Sequence, residues 1–204
     1  LLFFTMTDPF FLATTKKPIR KLEDLKGLKV RELGGFPTEM WKKLGASPMY
    51  ISAPEIYDAL DKGVLDGAST IWDVVESFHL WEQFKYYQNM GTCVTSHIMI
   101  MNLDKWNSLS TDIQEAIMSV SGMYGAEFGG EAGWGSHKRD AVFTKMEKEG
   151  YTMEMVSLDP AEMERWREIA GKPLWEKWVS KNEANGLAGQ KVLDEALRLI
   201  QKYK

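Results

Sequence analysis

The sequence predicts an α/β fold with a largely parallel sheet. Short apolar segments suited to strands alternate with amphipathic segments suited to helices, in the order β-α-β-α-β-α-β over the first half of the chain. That order is typical of parallel strands joined by crossover helices. Hydrophobic residues make up 44% of the 204 residues, which is enough to bury a core in one large domain or two small lobes.

The strand predicted at residues 24–33 carries the first candidate functional residue, Arg31. An arginine at the carboxyl end of a strand in an open α/β sheet lies where such sheets bind ligands. Its rigid fork of donors suits a carboxylate or a phosphate better than a lysine would. The alternative is an exposed arginine that pairs with Glu32 or Glu23.

Apolar runs, helix caps and glycine stops predict the remaining elements in order. Residues 95–102 are apolar through their middle and predict a central strand. The other predicted strands cover residues 1–6, 49–52, 64–70, 85–93 and 151–156, with an apolar loop at residues 10–12. The predicted helices cover residues 37–44, 54–62, 71–84, 111–149, 160–170, 173–181 and 190–203.

The helical stretch at residues 111–149 is unusually long. Thr111 and Gln114 form a capping box at its start, and a straight helix of this length would measure about 60 Å. Such a helix would run across two lobes or would break near residues 133–135. Glycines recur along it at helical spacing, which predicts either a close-packing face or a kink: Gly122, Gly125, Gly129 and Gly133.

Composition excludes several classes of partner and site. The net charge of −4 and the absence of a long Lys/Arg cluster argue against a nucleic-acid partner. Cys93 is the only cysteine, so neither a disulfide framework nor a cysteine metal site is predicted. No apolar run approaches the roughly 20 residues that a membrane-spanning helix needs. The chain opens inside an apolar strand, so we expect it to be a fragment of a longer protein.

The sequence contains no recognisable catalytic motif. The three histidines lie far apart, and GxSxG, P-loop, HExxH and GxGxxG patterns are absent. No cofactor, metal ion or enzymatic activity is therefore expected. The remaining enzymatic alternative is a small α/β hydrolase or isomerase that uses Asp66 or Asp73 as acid and base.

Three segments, in this order and spacing, resemble the DctP-type solute receptors of TRAP transporters. They are KPIRKLEDLKGLKVRE, LGASPMYISAPEIYDALDKGVLDG and NLDKWNSLSTDIQEAI. The resemblance implies a periplasmic-binding-protein-like fold of two α/β lobes with one long helix along both, of which mostly the second lobe is present. Residues 8–95 and 136–204 would form the second lobe, and residues 1–7 and 96–135 would be a remnant of the first.

The resemblance also implies a function. Such a receptor captures an organic acid in the periplasm and delivers it to the membrane permease of the transporter, without chemistry or cofactor. In this family the arginine of the K-x-R strand binds the substrate carboxylate, and Arg31 occupies that position. Residues just after the next strand, here Ser69, Thr70 and Trp72, line the pocket. Removing Arg31 would then leave the stability of the ligand-free chain nearly unchanged.

Three departures from the acidic-sugar binders of the family bear on the ligand. Thr70 replaces an asparagine, Phe11 stands near the position where those relatives carry a second basic residue, and Ala53 replaces a phenylalanine. Together with Trp72 as a flat apolar wall, they favour a monocarboxylate with an apolar body over a C4-dicarboxylate. The alternative for Phe11 and Trp72 is simple core packing.

Two further expectations concern the whole chain. A purely structural α/β scaffold that binds no small molecule is the alternative to a receptor. If the first lobe is largely missing, we expect its partner surface to be covered by a piece of that lobe or by a domain-swapped second copy of the chain.

Overall fold

The computed structural model describes residues 1–88, 90–133 and 137–202. These residues form a six-stranded sheet covered by helices on both faces and a separate two-stranded sheet. The strands are β1 (Phe3–Met6), β2 (Phe11–Thr14), β3 (Lys29–Glu32), β4 (Ser47–Tyr50), β5 (Gly67–Thr70), β6 (Tyr86–Gln88), β7 (Ser96–Met99) and β8 (Glu154–Val156).

Ten helices connect and cover these strands within the described residues. They are α1 (Gly35–Lys43), α2 (Ile56–Asp61), α3 (Trp72–Ser77), α4 (Leu103–Asn107), α5 (Thr111–Ser119), α6 (Gly122–Phe128), α7 (His137–Lys148), α8 (Pro160–Trp166), α9 (Lys172–Ala184) and α10 (Gly189–Lys202).

The six-stranded sheet has the strand order β4-β3-β5-β2-β6-β8 and is mixed. Strand β3 lies between β4 and β5 and is parallel to both, and β6 is parallel to β8. Strand β2 is antiparallel to its neighbours β5 and β6. The carboxyl ends of β3, β4 and β5 therefore meet at one edge of the sheet.

Strand β2 corrects the sequence prediction, which placed an apolar loop at residues 10–12. All four of its residues are buried, because it lies inside the sheet and both of its faces are covered. A strand buried on both faces shows no alternation of polar and apolar residues, so a short one cannot be told from an apolar loop by pattern. Its insertion also makes the predicted parallel sheet a mixed one.

Two apolar clusters fill the two faces of this sheet. Because neighbouring residues of a strand point to opposite faces, Leu12 lies in one cluster and Ala13 in the other. The α3-side cluster lies between the sheet and helices α2, α3 and α7, and includes Trp72. The α1-side cluster lies between the sheet and helices α1 and α8, and includes Trp41 and Trp166.

The predicted close-packing face of the glycine-rich helix is confirmed at two positions. A Cβ atom on Gly125 would lie 2.6 Å from the ring of Phe3, and one on Gly129 would lie 3.2 Å from the methyl group of Thr5. Helix α6 therefore approaches strand β1 more closely than any residue with a side chain would allow.

The prediction of one continuous helix over residues 111–149 is wrong, because the helix is interrupted within its first third. Helix α5 ends at Ser119, and Gly122 adopts a left-handed φ of 61° while its N–H donates to the carbonyl oxygen of Leu2. The capping box is also wrong, since Gln114 instead donates its side-chain amide to the carbonyl oxygen of Trp106. Part of the predicted break at residues 133–135 lies outside the described residues.

Helix boundaries differ from prediction at two other places. The helix predicted at residues 71–84 stops at Ser77, because His79 adopts a left-handed φ of 51°. The two helices predicted at 160–170 and 173–181 are instead joined by a π turn at Arg167–Gly171. The Asp159 cap is confirmed: its Oδ1 accepts the N–H of Ala161 at 2.8 Å.

Strand β7 is not the central strand that its apolar sequence predicts. It pairs with β1 in a two-stranded antiparallel sheet, and all four of its residues are exposed. The adjoining helix α6 also exposes large apolar side chains, including Met123 and Phe128. Residues 1–6 and 96–128 therefore present an unpaired strand edge and an apolar surface to solvent.

We expect this surface to drive self-association at high protein concentration, since bare edges and apolar patches pair with other chains. Light scattering after size exclusion should show a mass that rises with concentration. Ile98→Lys on β7 should reduce the association, whereas Ile200→Lys on the exposed side of α10 serves as the matched control. A monomer at every concentration would contradict this expectation.

The α1-side cluster contains a buried carboxylate, and its hydrogen bond to Trp41 can be tested. Glu32 Oε2 accepts the indole N–H of Trp41 at 2.9 Å, and both residues are buried. Trp41→Phe should lower the free energy of unfolding by roughly 1–3 kcal/mol, because the carboxylate loses a donor that water cannot replace. Trp81→Phe is the control, since the indole of Trp81 bonds the exposed Glu149. Equal losses of unfolding free energy for the two variants in urea denaturation would show that burial of the Glu32 carboxylate makes no difference.

Candidate functional site

Arg31 lies at the carboxyl end of β3, in the middle of three parallel strands. Its side chain is 2% exposed. The Nε group donates to the carbonyl oxygen of Ile51 at 3.0 Å, just beyond β4, and Nη1 donates to the carbonyl oxygen of Ser69 in β5 at 3.3 Å. Backbone groups from both neighbouring strands thus orient the guanidinium.

The charge of Arg31 has no counterion within the part of the chain that the structure describes. Two of its five N–H groups bond backbone carbonyls, and no described carboxylate lies within ion-pair distance. Burial lowers the pKa of Arg31, and the nearby Glu32 and Tyr50 oppose that shift. A buried cation without an anion is unfavourable in the empty protein and favours an anionic ligand.

The alternative that Arg31 pairs with Glu32 or with Glu23 is wrong. Glu32 points to the opposite face of the sheet, where it accepts the N–H groups of Trp41 and Leu33. Glu23 pairs with Arg165 at 2.7 Å. The guanidinium does have structural partners, since it donates to two backbone carbonyls, and the expected stability of the ligand-free chain without Arg31 stays a prediction.

Ser69 and Thr70 end strand β5, beside Arg31. Thr70 shares a face of the sheet with its register partner Phe11 and is fully buried, and its hydroxyl lies 3.4 Å from the carbonyl oxygen of Ile71. Ser69 pairs with Leu12, so its side chain points to the other face. The buried Oγ of Ser69 has no hydrogen-bond partner among the described residues. Ser69 thus contacts Arg31 through its carbonyl oxygen alone.

Ala53 starts a short 3-10 turn two residues after the Ile51 carbonyl that binds Arg31. It is half-buried and packs against the α3-side cluster. The small side chain therefore stands close to the edge where the guanidinium lies.

Phe11 and Trp72 form an aromatic group with two residues that the sequence analysis did not select. The ring centroids of Phe11 and Trp72 lie 4.2 Å apart, and Trp72 lies 5.1 Å from Tyr87 and 5.4 Å from Phe143. Tyr87 comes from β6 and Phe143 from α7, so no spacing along the chain could have indicated the group. All four rings belong to the α3-side cluster or pack against it, which agrees with a core-packing role.

A cavity of about 190 Å³ opens beside this aromatic group. Its walls combine three of the rings with polar and charged side chains. They include Phe11, Trp72, Tyr87, Asp8, Gln88 and Arg139. Arg31, Ser69, Thr70 and Ala53 do not line it.

A larger cavity of about 420 Å³ lies on the other side of the sheet, between α1 and the α8–α9 segment. Its lining is mostly apolar and includes Phe36, Trp166, Trp175 and Trp178. None of the residues selected from the sequence lines it, so it is not the predicted site.

The geometry does not support the alternative of a hydrolase or isomerase that uses Asp66 or Asp73. Asp66 lies before β5, where its Oδ2 accepts the N–H of Lys29 at 3.0 Å. Asp73 lies beyond the opposite end of β5, 3.9 Å from Lys138. The two carboxylates therefore cannot act on one substrate atom. The described residues contain no cluster of three metal-ligating side chains and no helix long and apolar enough to cross a membrane.

Comparison with known proteins identifies the family. Residues 2–182 match the profile of DctP, described as bacterial extracellular solute-binding protein, family 7. The chain belongs to the DctP family. The resemblance drawn from the three sequence segments is thereby confirmed, and the α/β fold class with it.

DctP-family relatives cover this chain to different extents. A monocarboxylate 2-oxoacid-binding periplasmic protein from Nostoc sp. is 31% identical over 109 residues, which are 52% of this chain and 30% of that protein. A TRAP periplasmic solute-binding protein from Bordetella bronchiseptica, solved with bound (R)- and (S)-mandelate, matches with a TM-score of 0.85 and 31% identity, over 100% of this chain and 64% of that one.

A TRAP solute-binding protein from Rhodoferax ferrireducens, solved in complex with benzoate, has a TM-score of 0.85 and 26% identity, over 99% of this chain and 63% of that one. The DctP-family chain described here thus spans less than two thirds of each of these relatives.

An ion-pair network holds helix α7 against α3 beside the cavity, and its strength should depend on pH. The hydrogen bond from Lys145 holds the pKa of Glu76 below its ordinary value of 4.5, against the effect of burial, and Lys138 lies 3.8 Å away. Because the folded pKa is the lower one, the pairs stabilise the fold at neutral pH and this contribution is lost as pH falls through the folded pKa.

Glu76→Gln should therefore lower the melting temperature by a few degrees at pH 7, equivalent to about 0.5–1 kcal/mol. The difference between variant and parent should shrink below pH 4.5, the ordinary pKa of a glutamate. Glu195→Gln removes an exposed pair within α10 and is the matched control, with a smaller effect. Thermal melts across pH 3–7 measure the stability of both variants. A loss in Glu76→Gln that does not depend on pH would contradict a stabilising role of the ionised Glu76 carboxylate.

Proposed function

We propose that this DctP-family chain is part of the periplasmic solute receptor of a TRAP transporter, which binds an organic acid and delivers it to the membrane permease. The single observation that carries the proposal is the buried Arg31 guanidinium, which no carboxylate among the described residues neutralises. An anionic ligand would supply that missing charge.

The position of Arg31 supports a ligand role. The carboxyl edge of the parallel strands β4, β3 and β5 is where open α/β sheets bind ligands. Thr70 and Ala53 lie at the same edge, and Phe11 and Trp72 lie beside it. The family relatives named above are solute-binding proteins rather than enzymes.

The ligand class that fits best is a monocarboxylate with an apolar or aromatic body. Phe11 stands where acidic-sugar binders of the family carry a cation, and it forms one wall of an aromatic cavity with Trp72 and Tyr87. The relatives from Bordetella and Rhodoferax were solved with mandelate and benzoate, both aromatic monocarboxylates. A C4-dicarboxylate is the second candidate, because Arg139 brings another cation to the same cavity.

We further propose that the chain divides into two lobes with a cleft between them. Residues 8–95 and 136–204 would form the second lobe, around the six-stranded sheet. Residues 1–7 and 96–135, with β1, β7 and α6, would contribute to the first. Clefts of this kind bury most of the ligand between two walls. The exposed surface of β7 and α6 would then face the rest of the first lobe or a swapped second copy.

Arg31→Ala tests the proposal directly. It should weaken binding of benzoate or mandelate by roughly 30-fold to several thousand-fold, because a buried carboxylate without its cation costs about 2–5 kcal/mol. Arg31→Lys should recover part of this loss, since one ammonium group cannot reproduce a bidentate fork. Titration by ligand-observed NMR and by thermal shift measures the affinity of the full-length protein for each acid.

Arg165→Ala is the matched control, since Arg165 is exposed and pairs with Glu23 and Glu162. Binding that survives Arg31→Ala as well as it survives Arg165→Ala would remove Arg31 from the site. Recovery of the acid unchanged after long incubation separates a receptor from the hydrolase alternative. A chain that shifts its melting temperature with no carboxylate would favour a purely structural scaffold.

A further inference from the structure

The cavity beside Phe11 and Trp72 contains a cation that the sequence analysis did not find. Arg139 is carried by α7, far from the other lining residues in sequence, and its side chain is 44% exposed. It lines the same cavity as Tyr87, and its charge counteracts the rise that burial causes in the pKa of Tyr87. The resemblance to the acidic-sugar binders implies the loss of a cation near Phe11, and helix α7 brings Arg139 to the cavity that Phe11 lines.

The cavity is large enough for an aromatic ring with a small substituent. An apolar cavity of about 150 Å³ can hold benzene, and this one measures about 190 Å³. Phe11, Trp72 and Tyr87 provide flat apolar walls, which suit the face and edge of a ring.

The separation from Arg31 fits the length of such a ligand. Strands β3 and β2 lie on either side of β5, and neighbouring strands are about 4.8 Å apart, so Arg31 and Phe11 stand on strands about 10 Å apart. Arg31 does not line the cavity. A ligand held by Arg31 therefore reaches the cavity with the end of its body that is remote from the carboxylate.

The charges in the cavity favour a hydroxyl over a second carboxylate at that remote end. Asp8 and Arg139 both line the cavity, and Arg139 also donates through Nε to Oδ1 of Asp140 at 3.1 Å, which leaves its terminal N–H groups for a ligand. A second carboxylate near Arg139 would also meet the negative charge of Asp8. A hydroxyl group accepts a hydrogen bond from a guanidinium and donates one to a carboxylate, so it suits both residues at once.

We propose that Arg139 determines ligand specificity, and that the site prefers a hydroxylated aromatic monocarboxylate. This inference rests on the function proposed above. Arg31 binds the carboxylate, the aromatic walls hold the ring, and Arg139 with Asp8 binds the hydroxyl at the far end. The charge of Arg139 thereby replaces the missing cation at Phe11 without restoring a dicarboxylate site.

The experiment compares three acids that share one ring: benzoate, 4-hydroxybenzoate and terephthalate. The parent chain should bind 4-hydroxybenzoate about tenfold more tightly than benzoate, as one charge-assisted hydrogen bond would give. Terephthalate should bind no better than benzoate. In Arg139→Met the ratio of the affinities for 4-hydroxybenzoate and benzoate should fall to about one, because methionine keeps the length but has no donor.

Lys148→Met is the matched control, an exposed cation on the same helix that does not line the cavity. It should keep the parent ratio. A parallel Arg139→Gln variant, which keeps an amide donor, should give an intermediate ratio and guards against a folding defect in Arg139→Met. Ligand-observed NMR of the full-length protein and its variants measures all ratios.

An unchanged ratio in Arg139→Met, or an equal loss of both acids, overturns the role of Arg139. Preference of the parent chain for terephthalate overturns the hydroxyl assignment in favour of a dicarboxylate. In each of these cases binding that still depends on Arg31 leaves the proposed function intact. A parent chain that binds none of the three acids refutes both proposals.

Discussion

The burial of the Arg31 guanidinium at the carboxyl edge of the sheet constrains the rest of the site. A buried cation needs polar partners, and here the carbonyl groups of Ile51 and Ser69 provide them from the two flanking strands. That arrangement requires β4, β3 and β5 to be parallel and to end at one edge. Carbonyl dipoles hold the guanidinium in place but do not neutralise its charge.

The two faces of the sheet divide structural and functional tasks. On the α1 side, Glu32 is held by Trp41 within an apolar cluster, and this polar group is satisfied inside the protein. On the α3 side, Phe11 and Trp72 pack with rings from β6 and α7 and still leave a cavity beside them. The same rings therefore pack in the core and line a cavity, because one edge of the cluster is open.

The two-stranded sheet of β1 and β7 is covered on β1 but exposed on β7 within the described residues. Helix α6 packs tightly on β1 through Gly125 and Gly129, while β7 exposes all four of its residues. Strands that are apolar through their middle are ordinarily covered on at least one face.

The sequence by itself determined the family, the α/β class, most helix starts and the position of Arg31 at the carboxyl end of a strand. These depend on local signals: turn glycines, the Asp159 cap, the K-x-R strand and three ordered segments. Only the tertiary structure decided that residues 11–14 form an antiparallel central strand, that Ser69 faces away from Arg31, and that Tyr87, Phe143 and Arg139 meet Phe11 and Trp72. Those facts depend on register and on contacts between residues far apart in the chain, and a pattern within a short window contains no information about either.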